Sequence, residues 1–290
     1  MILSRDSKVL ESPVYWVRVL RSLLRDPVSV GCLVILTIII GACLFAPLLT
    51  FYDPSIGSVI KRLKPVGTEG HILGTDELGR DMLTRLLYGG RTSLLMGFLP
   101  VTIALFIGGS LGLIAGYAGG WLNTIIMRSI DVIFAFPSVL LAVAIAGALG
   151  AGIINALVAL TIVLIPSLVR ITEAATTQVR TLDYVEAARG SGAGNFSIIR
   201  VHLLSNVLGP VLVYSASQLS VAIIMAAGLS FIGLGAKPPT PEWGLMLNAL
   251  RGAIYSQPLI AALPGLFIFS VSLSFNLLSD GLRSAMEIKG

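Results

Sequence analysis

Charge is scarce in this chain of 290 residues: Asp, Glu, Lys and Arg together make up 12%, about half the share in an ordinary soluble domain. With 55% hydrophobic residues and a mean hydropathy of +0.91, water is not the main solvent of its surface. Histidine is nearly absent. Only His71 and His202 occur and there is no His-Glu-x-x-His, which excludes the common zinc-hydrolase signature. The two cysteines, Cys32 and Cys43, share one apolar run and stand about 16 Å apart along an intact helix, too far to bridge. No lysine follows a glycine anywhere, so a phosphate-binding Gly-x-x-x-x-Gly-Lys-Ser/Thr loop is missing. The segment Gly190-Ser191-Gly192-Ala193-Gly194 lacks both that lysine and a preceding strand. The formal charge of +5 comes from basic residues scattered singly or in pairs, with no clustered face, which argues against a nucleic-acid partner.

What is present is a series of apolar runs, each near the 20 residues that a helix needs to cross a bilayer. They predict an all-α integral membrane protein with about six spans, over 28–49, 92–117, 129–149, 153–171, 207–234 and 259–278. The predicted organisation is a tail over 1–27, a first span within 28–50 and a polar loop over 51–90 with a short amphipathic helix. A five-helix core over 91–280 follows, with a polar connection at 172–206 and a tail over 281–290. Asp26-Pro27 opens the first span, and Pro238, Pro239 and Pro241 make the stretch after the fifth a loop. Gly108, Gly112, Gly116 and Gly120 recur every four residues, a spacing that lets helix backbones touch. No small-residue cleavage site follows the first apolar run, so the tail is expected to be retained. Setting aside the long 51–90 loop and its edge, twelve basic residues fall on the side of the N-terminus and two on the other. Both termini are therefore expected in the cytoplasm.

Several polar residues invite a functional reading. Asp76 and Asp81 could ligate a metal, but Arg80 and Arg85 lie close by and ion pairs account for them better. Asp131 near the start of a span could relay protons. Arg128, three residues before it on the same helical face, predicts a structural pair instead. Tyr214, Ser217 and Gln218 in the fifth span, with Ser270, Ser274 and Asn276 in the sixth, are candidates for a translocation path, or equally for helix-to-helix hydrogen bonding. A stand-alone channel or secondary transporter would be expected to carry more intramembrane charge, or helices broken at the midplane.

The sequence Glu186-Ala187-Ala188-Arg189-Gly190-Ser191-Gly192 sits in the 172–206 connection. Alanines on a short helix offer a shallow face, Glu186 near its start suits the helix dipole, and Gly192 can reverse the chain. This segment resembles the EAA motif of binding-protein-dependent ABC importer permeases: Glu-Ala-Ala, three residues, Gly, nine residues, Ile, one residue, Leu-Pro. Gly192 and Leu204 fall on that pattern, while His202 stands at the Ile position and Ser205 at the Pro position, where serine would favour only a helix cap. Leu73-Gly74-Thr75-Asp76-Glu77-Leu78-Gly79-Arg80-Asp81 with Arg91-Thr92-Ser93-Leu94 is similar to the head of the second span in dipeptide, oligopeptide and nickel importers. Leu229-Ser230-Phe231-Ile232-Gly233-Leu234-Gly235, followed by Pro238-Pro239-Thr240-Pro241-Glu242-Trp243-Gly244, matches the same subfamily. The short N-terminus and single span before these clusters resemble its C-type permease.

That resemblance implies a non-catalytic permease subunit of the prokaryotic inner membrane. It implies a B-type permease partner, two ABC ATPase subunits and an extracytoplasmic binding protein. No cofactor is expected on this chain; ATP and Mg would sit on the ATPases. Tyr184, Glu186, Ala187, Ala188 and Gly192 would couple to those ATPases. Short peptides are the implied substrates, with nickel chelates, glutathione or another small solute as alternatives.

Overall fold

The computed structural model describes residues 13–287. Predictions that touch Arg5, Lys8 and Lys289 lie outside that range. All regular elements among the described residues are helical. In chain order they are α1 (Pro13–Leu23), α2 (Pro27–Leu44), α3 (Ala46–Leu49), α4 (Met82–Ala118), α5 (Gly120–Phe134) and α6 (Ser138–Leu149). Then come α7 (Ile153–Arg180), α8 (Asp183–Gly190), α9 (Asn195–Ser197), α10 (Leu204–Phe231), α11 (Trp243–Leu250) and α12 (Pro258–Glu287). Five of the helical stretches are long and apolar enough to cross a membrane, and the α5–α6 pair, counted as one crossing, makes six. Large apolar side chains such as Ile38, Leu48, Phe106, Ile154 and Phe269 face outward, as hydrocarbon rather than water requires.

Local chemistry sets the helix ends. Asp26 accepts from the Val28 and Ser29 amides and Pro27 fills the first helical position, so α2 starts where its sequence predicts. The next boundary differs. Asp81 caps the Thr84 amide at 2.8 Å, and α4 begins at Met82, ten residues before the predicted span. Charged residues are tolerated in its first turns because Arg85 is buried against Asp76 at 3.1 Å. The amphipathic helix expected within 51–90 is absent as a separate element. That loop contains a single 3₁₀ turn, Val59–Lys61, and its helical signal belongs to the start of α4.

Three of the four spaced glycines form the seam between α4 and α7. A Cβ on Gly108 would lie 2.9 Å from the Ile165 carbonyl oxygen, on Gly112 2.5 Å from that of Val169, and on Gly116 2.6 Å from Thr176 Cβ. Gly120 lies beyond the seam, because Gly119 at φ +65° has already ended α4.

The predicted third span, 129–149, is not one rod. Pro137 separates α5 from α6, which meet at 84°, and every residue from Phe134 to Leu140 is exposed. α7 continues nine residues past the predicted end at 171, to Arg180, so much of the 172–206 connection is helix. The return helix likewise starts early. α9 leads through a π-helical stretch, Ile198–Leu203, into α10 without a break. Ser205 therefore does not mark a helix start; its hydroxyl donates back to the Val201 carbonyl at 2.6 Å inside the helix. α12 runs to Glu287, taking in most of the predicted tail 281–290.

The loop after α10 holds a helix that composition did not announce. α11 is short and turns inward, with Trp243, Met246 and Leu250 fully buried among Met82, Leu86, Ile260 and Val271. The bundle thus has two dissimilar ends. The starts of α4 and α12 and the end of α10 surround α11 at one, where the start of α7 meets the loop after α10; α8 lies at the other with the ends of α4 and α7 and the start of α10.

Candidate functional site

α8 contains Tyr184, Glu186, Ala187 and Ala188. Its eight residues place Asp183 and Glu186 in the first turn and Arg189 in the last, the order that the helix dipole favours. The helix ends in a Schellman turn. Ala193 N–H donates to the Ala188 carbonyl and Gly192 N–H to that of Arg189, each at 3.1 Å, with Gly192 at φ +81°. A glycine is needed there because a side chain would strain that backbone.

One face of α8 is anchored. Val185 is fully buried together with Ile198 and Leu203 of the return turn, and Tyr184 packs half-buried beside the His202 ring at 5.9 Å. Glu186, Ala187 and Gly192 are exposed, and Ala188 is half-buried. A short helix held from below with small exposed side chains can be gripped by a partner without large desolvation cost. His202, off the motif pattern, thus serves as a packing partner for Tyr184.

Sequence reasoning missed the tie between this helix and α4. Tyr117, in the last turn of α4, donates its hydroxyl to Asn195 Oδ1 at 2.7 Å, and Arg189 stands 6.0 Å above its ring. Its carbonyl accepts from Arg180 Nη1 at 3.0 Å. These partners lie 63 to 78 residues away in the chain, beyond any local pattern.

At the opposite end the 73–81 cluster is a buried charge network. Asp76 Oδ2 meets Arg80 Nε at 2.6 Å and Arg85 Nε at 3.1 Å, Arg80 also reaches Glu77 at 2.8 Å, and Asp81 pairs with His71 Nδ1 at 3.0 Å. The expected pairing with Arg80 and Arg85 is present for Asp76, whereas Asp81 pairs instead with His71 and caps α4. Glu242 is a third buried carboxylate. It caps α11 by accepting from the Gly244 and Leu245 amides, and Ser93 of α4 donates to it at 2.9 Å. Burial pushes its carboxyl above the ordinary glutamate range, against those hydrogen bonds and one from Ser230. Trp243 Nε1 donates to the Leu86 carbonyl at 2.9 Å and Trp243 N to Ser93 Oγ at 3.0 Å, which docks α11 on α4.

Asp131 and Arg128 approach to 3.7 Å, but the shorter contact is across helices. Arg170 of α7 reaches Asp131 at 2.7 Å and stacks 4.7 Å from the Phe134 ring. The intrahelical pair is the lesser half of a bridge joining α5 to α7.

The candidate path residues divide. Gln218 Nε2 donates to Ser167 Oγ of α7 at 3.0 Å, and Ser217 donates to the Tyr214 carbonyl at 2.7 Å. Tyr214 packs on the cluster around Leu164 and Leu168. In α12 Ser274 is buried, Ser270 half-buried and Asn276 exposed on a different face. An apolar cavity of about 540 Å³ lies about two to four turns further along α10 than Gln218, lined by Val139, Val143, Met225, Leu229, Leu247 and Ile268 among others.

The family described as binding-protein-dependent transport system inner membrane component matches residues 108–288, and the N-terminal TM domain of oligopeptide transport permease C matches 15–65. The chain is 42% identical to a di/tripeptide transport system permease protein, DppC, of Pseudomonas aeruginosa, over 99% of this chain and 95% of that one. It is 42% identical to a dipeptide transport permease, DppC, of Alkalihalophilus pseudofirmus, over 94% and 90% of the two chains. It is 41% identical to a glutathione transport permease, GsiD, of Pectobacterium atrosepticum, over 94% and 91%. Among solved structures, the inward-facing MetNI methionine ABC transporter shares the fold at a TM-score of 0.58 and 20% identity, across 70% of this chain and 97% of that one. Relatives this close along nearly the whole length, on a bundle with an EAA-bearing helix at one end, fix the membership. The chain belongs to the binding-protein-dependent transport system inner membrane components, the permease subunits of ABC importers.

Proposed function

We propose that this chain is the C-type permease of a prokaryotic inner-membrane importer of short peptides, forming the path with a second, B-type permease. The observation that carries this reading is α8, anchored through Val185 and presenting Glu186 and Ala187 outward. Two ABC ATPase subunits bring ATP and Mg, one docking on α8 and the other on the second permease, in the cytoplasm, where both termini also lie. Their closure on ATP draws the coupling helices together and reorients the spans, so that substrate delivered by an extracytoplasmic binding protein at the α11 end meets an open cavity. Di- and tripeptides are the favoured cargo because two of the relatives above are named for them; glutathione is a second reading, supported by the third.

The test is uptake of labelled dipeptide and of glutathione by proteoliposomes holding the assembled complex with its binding protein. ATP-dependent uptake is expected, and Glu186→Lys or Gly192→Trp should abolish it. Normal transport by both variants would remove α8 from the mechanism. Tight nucleotide binding by the isolated chain would overturn the subunit assignment.

A further inference from the structure

The covalent links of α8 to the bundle are soft. On one side stands the Thr181–Leu182 turn; on the other, the 191–194 turn and the π-helical stretch Ile198–Leu203, whose wide winding is a less stable form than the α-helix. Displacement of α8 carried only by those links would be absorbed in them. A second connection bypasses both. Tyr117 holds Asn195 through its hydroxyl at 2.7 Å, lies under Arg189 of α8, and accepts from Arg180 at the end of α7. Leu113, one turn earlier on α4, packs with Tyr117 against the buried Val185, Ile198 and Leu203.

α4 is well suited to carry such a displacement. From Tyr117 to Ser93 it spans about 36 Å of helix, and its glycine seam keeps it pressed on α7 along the way. At its far end Ser93 holds both Glu242 and the Trp243 amide, and the Leu86 carbonyl holds the Trp243 indole. We propose that Tyr117 is a positioning residue that locks the coupling helix and its return turn to α4, so that ATPase-driven movement of α8 passes along α4 to the α11 seat. The proposal rests on the reading of α8 as the coupling helix and adds the route by which its motion leaves it.

The experiment measures substrate imported per ATP hydrolysed by the full complex with its binding protein, for Tyr117→Phe, Asn195→Ala, the double variant and Asn195→Asp. Tyr117→Phe keeps the ring under Arg189 and removes only the hydroxyl. It should lower uptake per ATP about fivefold or more at unchanged subunit assembly. Asn195→Ala should do the same, and the double variant should fall no further, because both changes break one bond. Asn195→Asp keeps the acceptor and should restore the wild-type ratio. A wild-type ratio in both single variants, or effects that multiply in the double, would overturn the clasp. Should Tyr117→Phe fail to assemble, the alanine and aspartate forms of the exposed Asn195 decide alone. Glu186→Lys run beside them separates the two readings. If it uncouples while Tyr117→Phe and Asn195→Ala do not, only the clasp fails; if it too transports normally, the role of α8 fails with it.

Discussion

The two ends of the bundle solve opposite problems. Around α11 the chain buries Asp76, Arg80, Arg85, His71, Asp81 and Glu242, all within 5% of complete burial, and it packs Trp243 with no exposed surface. Around α8 it buries only Val185, Ile198 and Leu203, and leaves the motif residues Glu186 and Ala187 in the open. Charge sequestered from water is costly unless every partner is in place, so the α11 end tolerates little rearrangement. A cluster of three apolar residues resists movement far less. One end is a fixed seat; the other is a handle.

Removing one member of the fixed seat gives the largest expected effects. Asp76→Ala leaves two buried arginines without their shared carboxylate, and Trp243→Ala opens a cavity and strands the Leu86 carbonyl. Each should cost about 3–5 kcal/mol in denaturation of the detergent-solubilised chain. Small losses from both would erase the contrast between the ends.

Glu242 sharpens it further. A carboxyl whose folded pKa is raised binds its proton more tightly in the native state than in the unfolded one, so its contribution to stability is complete below the ordinary glutamate value. That contribution is lost as pH rises through the raised value. The wild-type protein should therefore lose stability across that interval, and Glu242→Gln, which cannot ionise, should show a flatter profile. An unchanged profile in the variant would assign the pH dependence to other groups.

At the handle end the effects shrink. Val185→Ala removes two methyl groups from the small cluster and should cost about 1.5–2.5 kcal/mol, below either change at the seat. Glu186→Lys, on the exposed face, should shift stability by no more than about 0.5 kcal/mol while uptake is lost. A large loss of stability there would mean that the motif is structural rather than a contact surface.

Sequence alone located most spans because an apolar run of bilayer length is a composition signal, and Asp26-Pro27 or Gly112 act through immediate neighbours or a fixed helical spacing. The EAA residues were legible for the same reason, as a local pattern. The errors fell where partners are remote. The start of α4 is hidden in a polar stretch because Asp76 neutralises Arg85 only in the folded loop. The seat of α11 depends on Ser93, 149 residues from Glu242. The Tyr117–Asn195 bond spans 78 residues. Pro137 lay in plain sight, yet a hydropathy window passes over a bend whose flanks are both apolar. Pro137 breaks the helix, and the two halves then pack on α7, with α6 also against α10, at the observed 84°.

That bend has a bearing on what must surround the chain. Non-helical backbone is stable at bilayer depth only where protein or an aqueous cavity shelters it. Residues 135–137 leave the helical path and, with their flanks, are exposed within this chain. A corner of this kind set in hydrocarbon needs cover from outside the chain, so the bundle taken alone is unfinished at that corner.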